Sequence, residues 1–175
     1  MRVLLKLLLY TILILLPTRA IAPVITDGES YDQMLKWQEN HRVNQLKQKI
    51  DTADFSQELF YQALILYVDN PEIVFNQAII ESGWFGSTLF LRHNNPFGMK
   101  YAVTRESTAA YRARIGSVRN YSGYNHWSEA VKDIALWQEY WGVRAKSQEE
   151  YYSFLKHLPY ATAKNYVKIL KRMET

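Results

Sequence analysis

One carboxylate in this chain stands where stability alone would not put it. In Asn76-Gln-Ala-Ile-Ile-Glu-Ser-Gly-Trp84, Glu81 comes just before a glycine that reads as a helix stop. Upstream, Asn70 is an N-cap candidate and Pro71 suits a first helical position, so the spacing predicts a helix over 71–82. Glu81 then lies in the last turn, at the negative end of the helix dipole, where an anion is disfavoured. Ile73, Val74, Phe75, Ala78, Ile79 and Ile80 make the helix apolar enough to be buried. A carboxyl beside apolar surface at such an end has a raised pKa, the condition for a general acid working near neutral pH. From spacing alone, a surface glutamate that tolerates its position fits equally well. Other chemistries lack their residues. His41, His93, His126 and His157 show no ligand spacing, so neither a metal nor a cofactor is implied. There is no cysteine, Gly-x-Ser-x-Gly elbow or phosphate-cradling glycine loop.

The elements that must position Glu81 are mostly helical. Apolar positions at Tyr31, Met34, Leu35, Val43, Leu46 and Ile50 predict an amphipathic helix over 31–50. Helical patterning resumes over 55–68 and 71–82, with a short helix over 87–92. Residues 97–124 lose that period and are rich in Thr, Tyr, Val and Arg, which predicts a β-hairpin with a long connection. Helix returns over 128–141. Ser147-Gln-Glu-Glu150 is a capping box opening another helix, and Thr162 can cap a last one ending near Arg172. The class is mainly α with one small β excursion, without internal repeats or linkers.

The motifs in that frame resemble a known family. Glu81-Ser82-Gly83-Trp84, Asn94-Asn95-Pro96-Phe97-Gly98-Met99-Lys100, Tyr124-Asn-His-Trp-Ser-Glu-Ala-Val-Lys-Asp133 and Tyr160-Ala-Thr-Ala-Lys-Asn-Tyr166 occur in the same order as in the bacterial glucosaminidase-type peptidoglycan hydrolases, the endo-β-N-acetylglucosaminidases that include flagellar wall-cutting enzymes. The resemblance covers roughly residues 57–174. It implies a lysozyme-like, two-lobed helical domain with a small β-hairpin lobe and a cleft between the lobes. It implies cleavage of the β-1,4 bond between N-acetylglucosamine and N-acetylmuramic acid, with Glu81 as acid. Family members that use a second carboxylate carry it in the hairpin. Glu106 is the only acid between Glu81 and Glu129, so it is the candidate partner. Otherwise the substrate's 2-acetamido group would serve as nucleophile. By the same resemblance Trp84, Asn94, Asn95, Phe97, Tyr124 and Tyr160 are substrate-binding candidates. Core packing is the competing expectation for Phe97, and turn-holding for the two asparagines. Asn165 and Tyr166 are expected to lock the last helix. A lytic transglycosylase or muramidase of the same fold, or a wall-binding module without turnover, are the rival readings. Two departures bear on substrate register: Phe85 stands where the family has Gly directly after Trp, and Pro96 replaces an aliphatic residue.

Composition agrees with such a domain. A chain of 175 residues with 48% hydrophobic and 22% charged residues suits one core. Its 13 Tyr and 5 Trp suit sugar-binding clefts as well as an aromatic interior, and most are expected in the interior. Residues 1–20 read as a signal peptide: a basic start through Lys6, an apolar run over 7–16, then Pro17 and small residues. The run is too short to span a bilayer, which needs about 20 residues. Cleavage after Ala20 is expected, because Pro23 obstructs cutting after Ala22, and an uncleaved anchor is the alternative and the sole route to membrane contact. The expected organisation is thus 1–20 signal, 21–50 lead-in and helix, and 51–175 catalytic domain, acting as a monomer on glycan strands in the secreted or periplasmic compartment. Arg2, Lys6 and Arg19 are three of the 21 cations, leaving 18 against 17 acids, or +1. Nucleic-acid binding therefore has little support. Arg92, Lys100, Arg105, Arg112, Arg114 and Arg119 form a local basic cluster that could attract wall-peptide carboxylates, or be no more than a solvated hairpin surface.

Overall fold

A computed structural model describes residues 28–158 and 165–173. Contacts divide the chain into two compact units, one ending at Lys49 and one beginning at Ile50. Helix α1 (Gly28–Thr52) supplies the first unit. Within it Trp37 stacks on His41 one turn later, ring centroids 5.2 Å apart, and Gln45 bonds the same imidazole at 2.9 Å. The helix begins earlier than its apolar pattern and runs past it by two residues.

The second unit holds α2 (Gln57–Tyr67), α3 (Pro71–Ser82), α4 (Thr88–His93), β1 (Tyr111–Ile115), β2 (Val118–Gly123), α5 (Trp127–Tyr140), α6 (Gln148–His157) and α7 (Tyr166–Met173). Capping chemistry sets most of these starts. The hydroxyls of Ser56, Ser87 and Ser147 accept from Leu59, Phe90 and Glu150 N–H, and Glu150 returns the bond to close the expected capping box. Asn70 takes the N-cap position of α3 but caps nothing with its side chain, which donates instead to Lys146 O at 3.1 Å. The proposed cap Thr162 and the signal segment lie outside the described residues. No helix among the described residues is long and apolar enough to cross a membrane.

The expected class, mainly helical with a small antiparallel hairpin, is what the structure shows. The long connection is not. Register pairs Ile115 with Val118 and Arg114 with Arg119, so β1 and β2 join through only Gly116 and Ser117. Gly116 adopts the left-handed φ of +57° that such a tight turn demands. The irregular stretch instead precedes the hairpin. From it Lys100 bridges Tyr121, and Tyr101 N–H donates to Asn120 O at 2.9 Å.

Phenylalanine organises the core. The buried Phe60 ring contacts Phe55, Phe75, Phe85 and Phe97 at centroid distances of 5.3–6.2 Å. Pairs of this geometry add about 0.5–1.5 kcal/mol each beyond area burial. Ile73, Val74, Ile134, Tyr151 and Leu170 complete the interior between the helices.

Candidate active site

Glu81 lies half-buried in the last turn of α3, and the residues just after it shape its surroundings. Three consecutive residues turn left-handed: Gly83 at φ +57°, Trp84 at +58° and Phe85 at +60°. Only the glycine adopts this without strain, and a side chain costs about 1–2 kcal/mol per residue there. Two features hold the turn. Ser82, itself buried, donates its hydroxyl to Ala78 O at 2.6 Å and accepts Phe85 N–H at 2.8 Å, while its carbonyl receives Gly86 and Ser87 N–H. Phe85 drops into the phenylalanine cluster, 4.9 Å from Phe55 and 5.5 Å from Phe90. Burying Phe85 leaves its neighbour outside: Trp84 is 71% exposed.

The next wall is the Asn94–Lys100 turn. Asn94 ends α4 in the left-handed region and donates its amide to Tyr124 O and Asn125 O at 3.0 and 3.2 Å. Asn95, buried, donates to Met99 O and Ser122 O at 2.9 and 2.8 Å and accepts Met99 N–H at 3.0 Å. These bonds tie the turn to β2 and bring Gly98 against the carboxylate. A Cβ on Gly98, whose φ is +64°, would stand 3.6 Å from Glu81 Oε2.

From the other side comes α7. Tyr166, buried on α7, lies close enough to the Glu81 carboxylate and the Gln77 amide to interact with both. Burial pushes the Glu81 carboxyl above its ordinary range, and the Tyr166 hydroxyl, which stabilises the ionised form, partly offsets that shift. Among the described residues the carboxyl thus meets a backbone glycine, a phenol and apolar surface, an environment suited to holding a proton for delivery.

The family model for mannosyl-glycoprotein endo-beta-N-acetylglucosaminidase, the glucosaminidase family, matches residues 57–175. The chain belongs to the glucosaminidase family. As a glucosaminidase it falls among the glycoside hydrolases, as the four motifs implied. No curated protein matches it. Among solved structures it is similar to the catalytic domain of the autolysin Auto from Listeria monocytogenes, at a TM-score of 0.46 and 22% identity, covering 86% of this chain and 94% of that one.

Not every candidate of this glucosaminidase gathers around Glu81. Phe97 is buried beside Phe60, in keeping with the expectation of core packing. Tyr124 is 1% exposed and donates its hydroxyl to Asp133 Oδ2 at 2.5 Å. Arg105 clamps the same carboxylate through two bonds of 2.8 and 3.2 Å. Arg105 therefore does not belong to the basic rim: its side chain is 8% exposed and its partner Asp133 fully buried. On the rim itself Lys100 sits over the Tyr121 ring and Arg112 over Tyr101. Glu106 is exposed, its carbonyl accepting Arg105 Nη1 at 2.7 Å, and among the described residues no hydrogen bond or ion pair links it to Glu81. Tyr160 lies outside the described residues. Sequence reasoning assigned Tyr166 only to helix locking and missed its contact with Glu81. Its place in the Tyr-Ala-Thr-x-x-Asn-Tyr match was the one available signal.

Proposed function

We propose that this chain is a secreted peptidoglycan hydrolase that cuts the β-1,4 bond on the reducing side of N-acetylglucosamine, with Glu81 as the general acid. The observation that carries this is the Glu81 carboxyl itself, half-buried at a helix C-terminus with its pKa pushed up, in a family of glycosidases. Glu81 protonates the departing glycosidic oxygen as an oxocarbenium-like centre develops at the sugar carbon. Trp84, three residues on and exposed, offers a ring face on which pyranose C–H groups can pack. Asn94, Asn95 and Tyr124 serve by holding the turn, since their polar atoms are already committed to the protein.

For the second half of the reaction, the exposed position of Glu106 favours the substrate-assisted route, which needs no second carboxylate. In it the 2-acetamido group attacks from the opposite face, forming an oxazolinium that water then opens. Glu106 on a closing loop, activating water directly, is the second reading. The test is digestion of purified sacculi followed by borohydride reduction and mass spectrometry. New reducing ends on N-acetylglucosamine are expected. Reducing muramic ends would make the chain a muramidase, and anhydro ends a transglycosylase. Glu81→Gln is expected to lower release of fragments by about 10²–10⁴-fold while sacculus binding persists. Full clearing by that variant would remove Glu81 as the acid.

A further inference from the structure

The segment leaving the turn at Glu81 runs alongside β2 as a short added strand. Ser122 N–H donates to Met99 O at 2.8 Å, Tyr101 N–H donates to Asn120 O at 2.9 Å, and Lys100 pairs with Tyr121 between them. The Ser122 hydroxyl also donates to Lys100 O at 3.1 Å. Side chains paired across strands share a face, and their chain neighbours take the other. One face of the ribbon therefore carries Lys100, Tyr121, Ala113 and Tyr111, and the opposite face Tyr101, Ser122 and Arg112. The ring contacts agree. Lys100 Nζ lies 3.4 Å from the centre of the Tyr121 ring, and the Arg112 guanidinium 4.7 Å from that of Tyr101.

Lys100 is exposed, and it is held unlike other cations of this unit. Arg105, Lys132, Arg144 and Lys171 each pair with a carboxylate. Lys100 is held by a ring, which fixes the ammonium without neutralising it. Among the described residues no carboxylate pairs with it, and its face of the ribbon carries no acid. It also stands near the acid. Gly98, whose backbone meets Glu81, is two residues away, a span of at most about 7 Å.

The substrate proposed above offers an anion at that place. The leaving oxygen is O4 of N-acetylmuramic acid, and the neighbouring C3 carries the lactyl ether from which the stem peptide grows. The peptide thus departs from the glycan one carbon away from the oxygen that Glu81 protonates. Its second residue, a γ-linked D-glutamate, presents an α-carboxylate about 7 Å of chain beyond the lactyl group. We infer that Lys100 pairs with this stem-peptide carboxylate and so selects peptide-bearing over naked glycan strands. The inference rests on the bond assignment made above, so the test is chosen to fail separately from it.

The full chain is assayed on soluble, uncrosslinked strands that carry stem peptides, on strands whose D-glutamate α-carboxyl is amidated, and on strands stripped by an amidase. The wild-type chain is expected to show its lowest KM on the free-carboxylate strands. Lys100→Met is expected to raise that KM about 3–10-fold, to the value for amidated strands, leaving kcat and the kinetics on stripped strands unchanged. Lys100→Arg keeps the preference. Arg112→Gln removes the same charge from the opposite face and is expected to keep it too. An equal loss in Arg112→Gln would reduce the effect to diffuse charge and overturn the pairing. Equal KM of the wild-type chain on free and amidated strands overturns it without any variant. So does a Lys100→Met chain that is slowed alike on all strands, which would make Lys100 a support of the turn. If no strand is cut, the proposed reaction falls, and calorimetric titration with the soluble disaccharide-peptide decides the contact. Weaker binding of the amidated form, and of the free form by Lys100→Met, keeps it; equal binding ends it.

Discussion

At the scale of single residues, the decisive quantity is how tightly Glu81 holds its proton. A general acid must be protonated to act, and burial raises the pKa of Glu81 above the usual glutamate value of about 4.3. With Glu81 as the proposed acid, activity is expected below the raised pKa and is expected to fall as pH rises through it. The stability contribution has the same sign: it is fully present below the unfolded-state pKa and fades as pH rises through the folded one. Gly98 offers a way to move this limit. Its positive φ makes any L side chain strained, and its Cβ position faces Glu81 Oε2 at van der Waals distance. Gly98→Ala is expected to cost about 1–2 kcal/mol of stability. The added methyl also strips water from the carboxylate, so the basic limb of wall clearing moves to higher pH. A pH–rate profile and urea unfolding of the same variant check both halves, and an unmoved limb would mean that Gly98 does not desolvate Glu81. The residue itself was legible in the sequence because a carboxylate in a last helical turn conflicts with the dipole. Tyr166 was not, because nothing local marks a tyrosine in another helix as its neighbour.

At the scale of elements, the contrast between α3 and the turn after it shows what local chemistry can specify. The bounds 71–82 follow from Pro71 and Gly83 alone, and the structure has the same bounds. The left-handed path through Trp84 and Phe85 has no such marker, since a glycine would be expected at each position. It is selected by tertiary burial of Phe85 and by the bonds to Ser82, so the sequence departure at Phe85 is the element that turns Trp84 outward. The hairpin differed from expectation for another reason. Gly116-Ser117 is a tight-turn signal, but the surrounding run of Thr, Tyr, Val and Arg blurred where the strands began. Ser82 provides the test at this scale. Ser82→Ala deletes the acceptor of Phe85 N–H inside the core, leaving a buried donor unpaired. The expected cost is about 1–3 kcal/mol, read by denaturant unfolding. Trp84 fluorescence should also shift as the strained turn relaxes, whereas an unchanged spectrum would show that Phe85 burial alone holds it.

At the scale of the whole second unit, a buried constellation fastens the long segment before β1 to α5. Arg105 reaches from that segment to Asp133 on α5, and Tyr124 after β2 donates to the same carboxylate. One anion thus joins the loop carrying Glu106, the end of the hairpin and the helix beneath them. None of this was visible in the sequence. Arg105 counted as one more surface cation and Tyr124 as a ligand for sugar, and nothing in the sequence pairs Asp133 with an arginine 28 residues away. Taking charges out of water is costly, so such a pair stabilises little over a well-packed apolar substitute, whereas breaking it strands a buried ion. Asp133→Ala is therefore expected to destabilise the protein by about 3–5 kcal/mol, leaving Arg105 unpaired in the interior. The double substitution Arg105→Met with Asp133→Leu removes both charges and should recover most of that loss in urea unfolding. Activity separates the remaining alternatives. If the double variant is stable yet clears wall as fast as the parent, the loop bearing Glu106 need not be pinned, in keeping with attack by the substrate's own acetamido group. If it is stable and slow, and Glu106→Gln is equally slow, the ion pair exists to hold Glu106 within reach of the cleft.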